Sequence, residues 1–155
     1  MISKNTDIIT IIKTNIDDSN GENLGFLMEQ LLKNGAVDVS FSSIQMKKNR
    51  PAVALTIMAK ENTVNPLINI LFKHSGTLGV RINQEQRIIC ERKIEIIDTK
   101  LGKIKIKVAI WQGNVVNIKP EYEICKAIAL NNNVPLKVVQ DIAINAYRKK
   151  HEMQV

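Results

Sequence analysis

Cysteine is scarce. The chain has two, Cys90 and Cys125, far apart and outside any CxxC pair. That spacing excludes a zinc ribbon and a disulfide framework, and both thiols are expected to behave as small buried apolar groups. Histidine is equally sparse, with only His74 and His151, which excludes a His-rich metal site. Three Phe, two Tyr and one Trp weaken any scheme in which several bases stack on aromatic rings. No apolar run approaches the about 20 residues needed to span a bilayer, and "MISKNTD" does not read as a secretory signal. The cytoplasm is the expected location, with no membrane partner. A Walker loop, an internal repeat and a low-complexity linker are also absent.

What is present is a 155-residue chain with 45% hydrophobic residues and a net charge of +7. The length suffices for one buried core and a small second unit. The charge favours an anionic partner, such as a nucleotide, nucleic acid or an acidic surface, without choosing among them.

"DIITIIKTNIDD" alternates, with Ile8, Ile12 and Ile16 on one face and Lys13, Asn15 and Asp17 on the other, which predicts a half-buried strand. Ser19 to Glu22 reads as a capping box before a helix carrying Leu24, Leu27, Met28, Leu31 and Leu32, with Gly35 as its stop. "VDVSFSS" is a second strand with a bulge expected at Ser42-Ser43. "KKNRP" is a tight connection to "AVALTIMA", whose Val53, Leu55 and Ile57 should face inward. Asn62 or Thr63 can cap a helix with the stripe Val64, Leu67, Ile68 and Leu71, and Pro66 is tolerated in its first turn. Gly76 and Gly79 lead into "VRINQEQRIIC". The order β-α-β-β-α-β is the ferredoxin-like arrangement.

After residue 90 the pattern changes. "KIEIID", "KIKIKVAI" and "VVNIK", joined at Lys100–Gly102 and at "QGN", form a three-stranded meander. Pro120 should open one helix and Pro135 another, with Asn131 to Asn133 between them. The fold class is therefore α+β: a ferredoxin-like βαββαβ core over residues 1–90, with an appended β-meander and two C-terminal helices over 91–155.

Several groups of residues carry candidate chemistry. Lys47, Lys48 and Arg50 lie in a hairpin where three cations can converge on a phosphate, although on these residues alone a solvated basic turn is the simpler explanation. Thr77, Gly79 and Arg81 combine a flexible turn with a hydroxyl and a guanidinium that suit an anion, or else mark an ordinary helix stop. Asp17, Asp18 and Glu22 offer the hard oxygens that Mg²⁺ or Mn²⁺ prefers beside triphosphate. A helix start accounts for one such acid, worth about 0.3–1 kcal/mol, and three in six residues exceed it. Lys103, Lys105 and Lys107 read as a solvated strand face, and Glu121 and Glu123 as acids matched to a helix dipole.

The stretches "TNIDDSNGENLG", "QMKKNRPAVALTIMA", "LFKHSGTLGVR" and "VVNIKPEYEIC" form an ordered set. Together, from about Thr14 to Val139, they resemble the C-terminal region of LarC-type nickel-insertion proteins. The resemblance implies insertion of Ni²⁺, the substrate metal, into pyridinium-3,5-bisthiocarboxylic acid mononucleotide. This completes the nickel-pincer cofactor of lactate racemase. It implies a cyclometallase of the lyase class that consumes CTP with Mn²⁺ or Mg²⁺, in which this region is the CTP-binding part. On that basis Lys47, Lys48, Arg50, Thr77 and Arg81 would hold CTP, and Asp17 or Asp18 the metal ion. Glu22 would accept the ring proton. Family members carry a larger N-terminal region before "NIDD", which becomes an expected partner alongside the pincer mononucleotide and other copies of the chain, as a trimer or hexamer. The family more often has threonines where Ser75 and Gly76 stand, so no ligand role passes to those two.

Two other classes compete. The charge and the fold also suit a basic nucleic-acid-binding ferredoxin-like domain, but RNA readers of this topology need sheet aromatics, and "AVALTIMA" and "VDVSFSS" contain only Phe41. A regulatory module that binds a small molecule unchanged is the third reading, separated from the enzyme by single-turnover analysis of the nucleotide.

Overall fold

The computed structural model describes residues 5–152. The chain divides into two compact units between Ile88 and Ile89.

The first unit contains β1 (Thr6–Ile16), α1 (Gly21–Lys33), β2 (Ala36–Met46), β3 (Arg50–Ala59), α2 (Val64–His74) and β4 (Arg81–Ile88). Its sheet has the order β2-β3-β1-β4, and each neighbouring pair is antiparallel. This is the predicted ferredoxin-like arrangement. Ile12, Ile16, Leu55, Ile57 and Ala59 from one sheet face pack with Leu27, Leu31, Leu67 and Leu71 of the helices. The leucines recur at helical spacing and the strand residues at spacing two, so both periodicities supply one apolar layer. A bidentate pair, Arg87 to Asp7 at 2.9 and 2.6 Å, holds β4 against the beginning of β1.

Several local expectations change. β1 is not half-buried: Ile9, Thr10, Ile11 and Ile12 are all buried, while Ile8 is exposed. The strand is central, flanked along both edges by β3 and β4, and the helices cover the face that carries Ile12 and Ile16. The cap of α1 is Asn20, not Ser19: Asn20 Oδ1 accepts from the Asn23 N–H at 2.9 Å, and Glu22 becomes an ordinary first-turn residue. The bulge in β2 falls between Ala36 and Asp38, and pairing runs unbroken through Ser42 and Ser43. Ser43 follows Val39 and Phe41 on the core-side face, and a hydroxyl residue at an apolar position imitates a break in alternation. Thr63 precedes α2 but makes no side-chain cap, since its hydroxyl bonds back to Lys60 O within a 3-10 turn. Gly35 does stop α1, at φ 97°.

The second unit is the predicted meander, β5 (Glu91–Thr99), β6 (Gly102–Trp111) and β7 (Asn114–Pro120), followed by α3 (Tyr122–Asn132) and α4 (Leu136–Lys150). Ile97, Ile104, Ile106 and Val108 pack with Cys125, Ala129, Val139, Ala143 and Tyr147. Pro120 ends β7 instead of opening the helix, because Glu121 takes the cap position and its N–H donates to Lys105 O. Lys103, Lys105 and Lys107 are exposed as expected, with Lys107 paired to Glu121 at 3.1 Å. Cys125 is buried, but Cys90 is only half-buried. Among the described residues no helix is long and apolar enough to cross a membrane.

Glu95 on β5 receives Lys150 Nζ at 3.3 Å and His151 Nε2 at 3.0 Å, fastening the end of α4. Partial burial raises its carboxyl pKa, but the bonds from His151 and Lys150 outweigh this and leave it below the ordinary value. A depressed folded pKa gives stability that is present above the unfolded value and lost as pH falls through the folded one. Melting temperatures across an acid series should therefore show Glu95→Gln less stable than wild type at neutral pH, with the difference vanishing in acid. A constant difference would refute the latch.

Candidate functional site

β1 ends at Ile16, and Asp17 and Asp18 follow directly. Both lie in a bend past the strand, and the two carboxylates take different partners. Asp17 meets Arg50 at the beginning of β3, with Nη1 3.1 Å from Oδ2. Asp18 lies against the loop after α2, so close to Gly76 that an added Cβ would stand 2.1 Å from its Oδ2. Gly76 matters here for the room it leaves. Glu22 is exposed in the first turn of α1. Among the described residues no three His, Cys, Asp or Glu side chains converge as a metal cage. The acidic run is a cluster in sequence that the bend after β1 and the start of α1 disperse in space. Such a donor set fits a divalent ion that arrives on a polyphosphate, because Mg²⁺ in nucleotide sites takes one or two carboxylates and completes its shell with phosphate oxygens and water.

The cations gather at the same end of the sheet, since antiparallel pairing sets the beginnings of β3 and β4 beside the end of β1. Arg81 opens β4, and its Nη2 donates to Asn15 Oδ1 at 2.9 Å. Asn15 lies on the face of β1 away from the helices, and Asp17 follows just past the strand. The hairpin between β2 and β3 turns through Lys47–Asn49, with Lys48 at φ 62°, ψ 25° and Asn49 at φ 56°, both left-handed. Asn tolerates the left-handed region, whereas for Lys it costs about 1–2 kcal/mol. The hairpin thus presents Lys48 in a conformation that a glycine would hold more easily. Among the described residues neither Lys47 nor Lys48 has an ion-pair partner.

Thr77 is differently placed. Its hydroxyl bonds with the Thr14 hydroxyl, and both lie 3.0 Å from Gly79 O. Thr14 is buried, so this pair ties the loop to β1. Thr77 therefore sits with Asp18 on the helix side, while Arg50, Arg81 and Asp17 lie on the other.

The helix side has a cleft of about 390 Å³ lined by Asp18, Asn23, Phe26, Lys73, His74 and Gly76. Phe26 and His74 meet edge to face, centroids 5.3 Å apart. Of these residues the sequence reading singled out Asp18 alone for chemistry. The others come from two helix ends that no local pattern links.

The nickel insertion protein family matches residues 2–140. A pyridinium-3,5-bisthiocarboxylic acid mononucleotide nickel insertion protein of Thermotoga petrophila is 42% identical over 144 residues, 93% of this chain and 36% of the relative. The protein of the same name from Acetivibrio thermocellus is 38% identical over 149 residues, 94% of this chain and 36% of the relative. The chain thus spans 36% of the length of these curated relatives. Among solved structures, the C-terminal domain of a cyclometallase involved in synthesis of the NPN cofactor of lactate racemase superposes with a TM-score of 0.86 at 37% identity. That match covers 92% of this chain and 98% of the domain. Protein MK0293 of Methanopyrus kandleri shares the fold at TM-score 0.69 and 20% identity, over 94% of this chain and 92% of its own. The ordered motifs, the two-unit architecture and these likenesses agree, and the chain belongs to the nickel insertion protein family.

Proposed function

We propose that this chain is the CTP-binding part of a cyclometallase that inserts Ni²⁺ into pyridinium-3,5-bisthiocarboxylic acid mononucleotide, acting with an N-terminal region and as a homo-oligomer. The observation that supports the reading is that the Arg50–Asp17 pair, the Arg81–Asn15 pair and the Lys47–Lys48 hairpin all lie towards one end of the sheet. A triphosphate carries several negative charges on adjacent groups. Guanidinium forks can engage its oxygens in pairs, and ammonium groups add unpaired charge. Mn²⁺ or Mg²⁺ bound with CTP would neutralise phosphate charge, and Asp17 or Asp18 would supply its protein oxygens. Arg50 is then shared between Asp17 and the nucleotide, so the carboxylate positions the guanidinium before CTP arrives. Thr77 contributes by fastening the loop that leads to Arg81. Glu22 is exposed and, among the described residues, without an ion-pair partner. It is the carboxylate assigned to take the ring proton when the nickel–carbon bond forms, a step that leaves the metal on carbon and the proton on oxygen.

The test is calorimetry of this chain with the four ribonucleoside triphosphates, each with and without Mn²⁺. CTP should bind most tightly, and Mn²⁺ should strengthen it. Equal affinity for all four, or no effect of the ion, would refute the reading.

A further inference from the structure

Resting on that nucleotide reading, we infer that Lys13 is a further phosphate-binding residue, forming with Arg81 a paired anion site on the sheet face opposite the helices. Lys13 on β1 stands directly opposite Arg81 on β4 in the antiparallel register. Like charges placed opposite one another across strands repel, and a fold without use for them would be expected to separate or neutralise them. Neither is neutralised here. Arg81 is held by the amide oxygen of Asn15, an uncharged acceptor. Asp17, the acid two residues beyond Asn15 and just past the strand, is engaged by Arg50. Lys13 has no ion-pair partner among the described residues, and the residue is half-buried.

The surroundings leave room for a ligand. On β3 the residue opposite Lys13 is Thr56, and opposite Thr56 on β2 is Ser40. One step towards the end of β1 the row is Asn15, Ala54 and Ser42. Two cations thus stand at one end of a band of short side chains, three of them hydroxyl donors, and the row continues towards Asp17 and Arg50. A phosphate group laid on this band would relieve the Lys13–Arg81 repulsion and remain within the same end of the sheet as the metal-binding carboxylate. The chemistry selected is that of a phosphoryl oxygen, independent of the base attached to it.

Calorimetry with inorganic triphosphate and with CTP, each with Mn²⁺, separates recognition of phosphate from recognition of cytosine. Lys13→Gln should weaken both about tenfold, the loss of one charge-assisted hydrogen bond, whereas Lys13→Arg should retain most of the affinity. In the wild-type protein, reductive methylation read by mass spectrometry gives an independent measure. Inorganic triphosphate should protect Lys13 and leave Lys137, whose side chain is 85% exposed on α4, fully reactive. If wild type binds both probes while Lys13 stays unprotected, or Lys13→Gln binds as wild type does, this inference falls and the nucleotide reading stands. If wild type binds neither probe, the nucleotide reading itself falls and takes this inference with it.

Discussion

The double variant Asp17→Ala, Asp18→Ala is expected to bind CTP no more tightly with Mn²⁺ than without it. Changes in the outer shell of a metal site already cost roughly 10–100-fold in metal affinity, and removal of the direct oxygen ligands should cost more. The single variants should differ, because the two carboxylates face different partners. Asp17→Ala also releases Arg50 from its 3.1 Å pair and so from its positioning, and metal-free binding of CTP should weaken as the response to Mn²⁺ falls. Asp18→Ala leaves that pair intact and empties the space beside Gly76. Whichever single variant reproduces the double one identifies the ligand. A double variant with wild-type dependence on Mn²⁺ would remove both acids from the site.

Leu71→Ala should produce the largest loss of stability. The side chain is fully buried between the helices and the sheet, among Ile12, Leu31, Leu55 and Leu67. Truncating a core leucine costs about 2–5 kcal/mol, a large share of the 5–15 kcal/mol that holds a typical domain together. Leu71 O also accepts from the Ser75 N–H and hydroxyl at the end of α2, but alanine keeps that carbonyl, so the loss isolates the cavity. Urea denaturation would show a lower midpoint with an unchanged slope. Leu32→Ala, at a 47% exposed position on α1, should shift it by no more than about 0.5 kcal/mol. Equal shifts for the two would refute this placement of the core.

Much of the architecture was legible because local chemistry and global fold agree. Alternation in "KIKIKVAI" assigns Ile104, Ile106 and Val108 to the core and the lysines between them to solvent, and the structure places them so. The stripe Leu67 and Leu71 and the stop at Gly35 were equally plain. The misreadings have a common origin. Asn20 displaced Ser19 as the cap, and Glu121 took the position expected of Pro120, because neighbouring residues can serve as alternative termini and small tertiary preferences decide between them. Ile9 and Ile11 are buried because β1 is central, and a strand's place in the sheet is not written in its own residues.

The candidate site divides in the same way. The family resemblance picked out Asp17, Asp18, Arg50, Thr77 and Arg81, yet could not say that Thr77 turns inward to Thr14 or that Asp18 and Asp17 serve opposite faces. It also passed over Lys13, whose significance lies entirely in the residue across from it.

By itself, the sequence determined the elements, their order and the apolar face of nearly every one, because period, turn residues and helix stops act over a few neighbouring positions. The tertiary structure alone decided which charges meet. Strand order and register bring together residues more than thirty positions apart, as with Arg50 and Asp17. A salt bridge or a repulsion between them exists only once the sheet has closed.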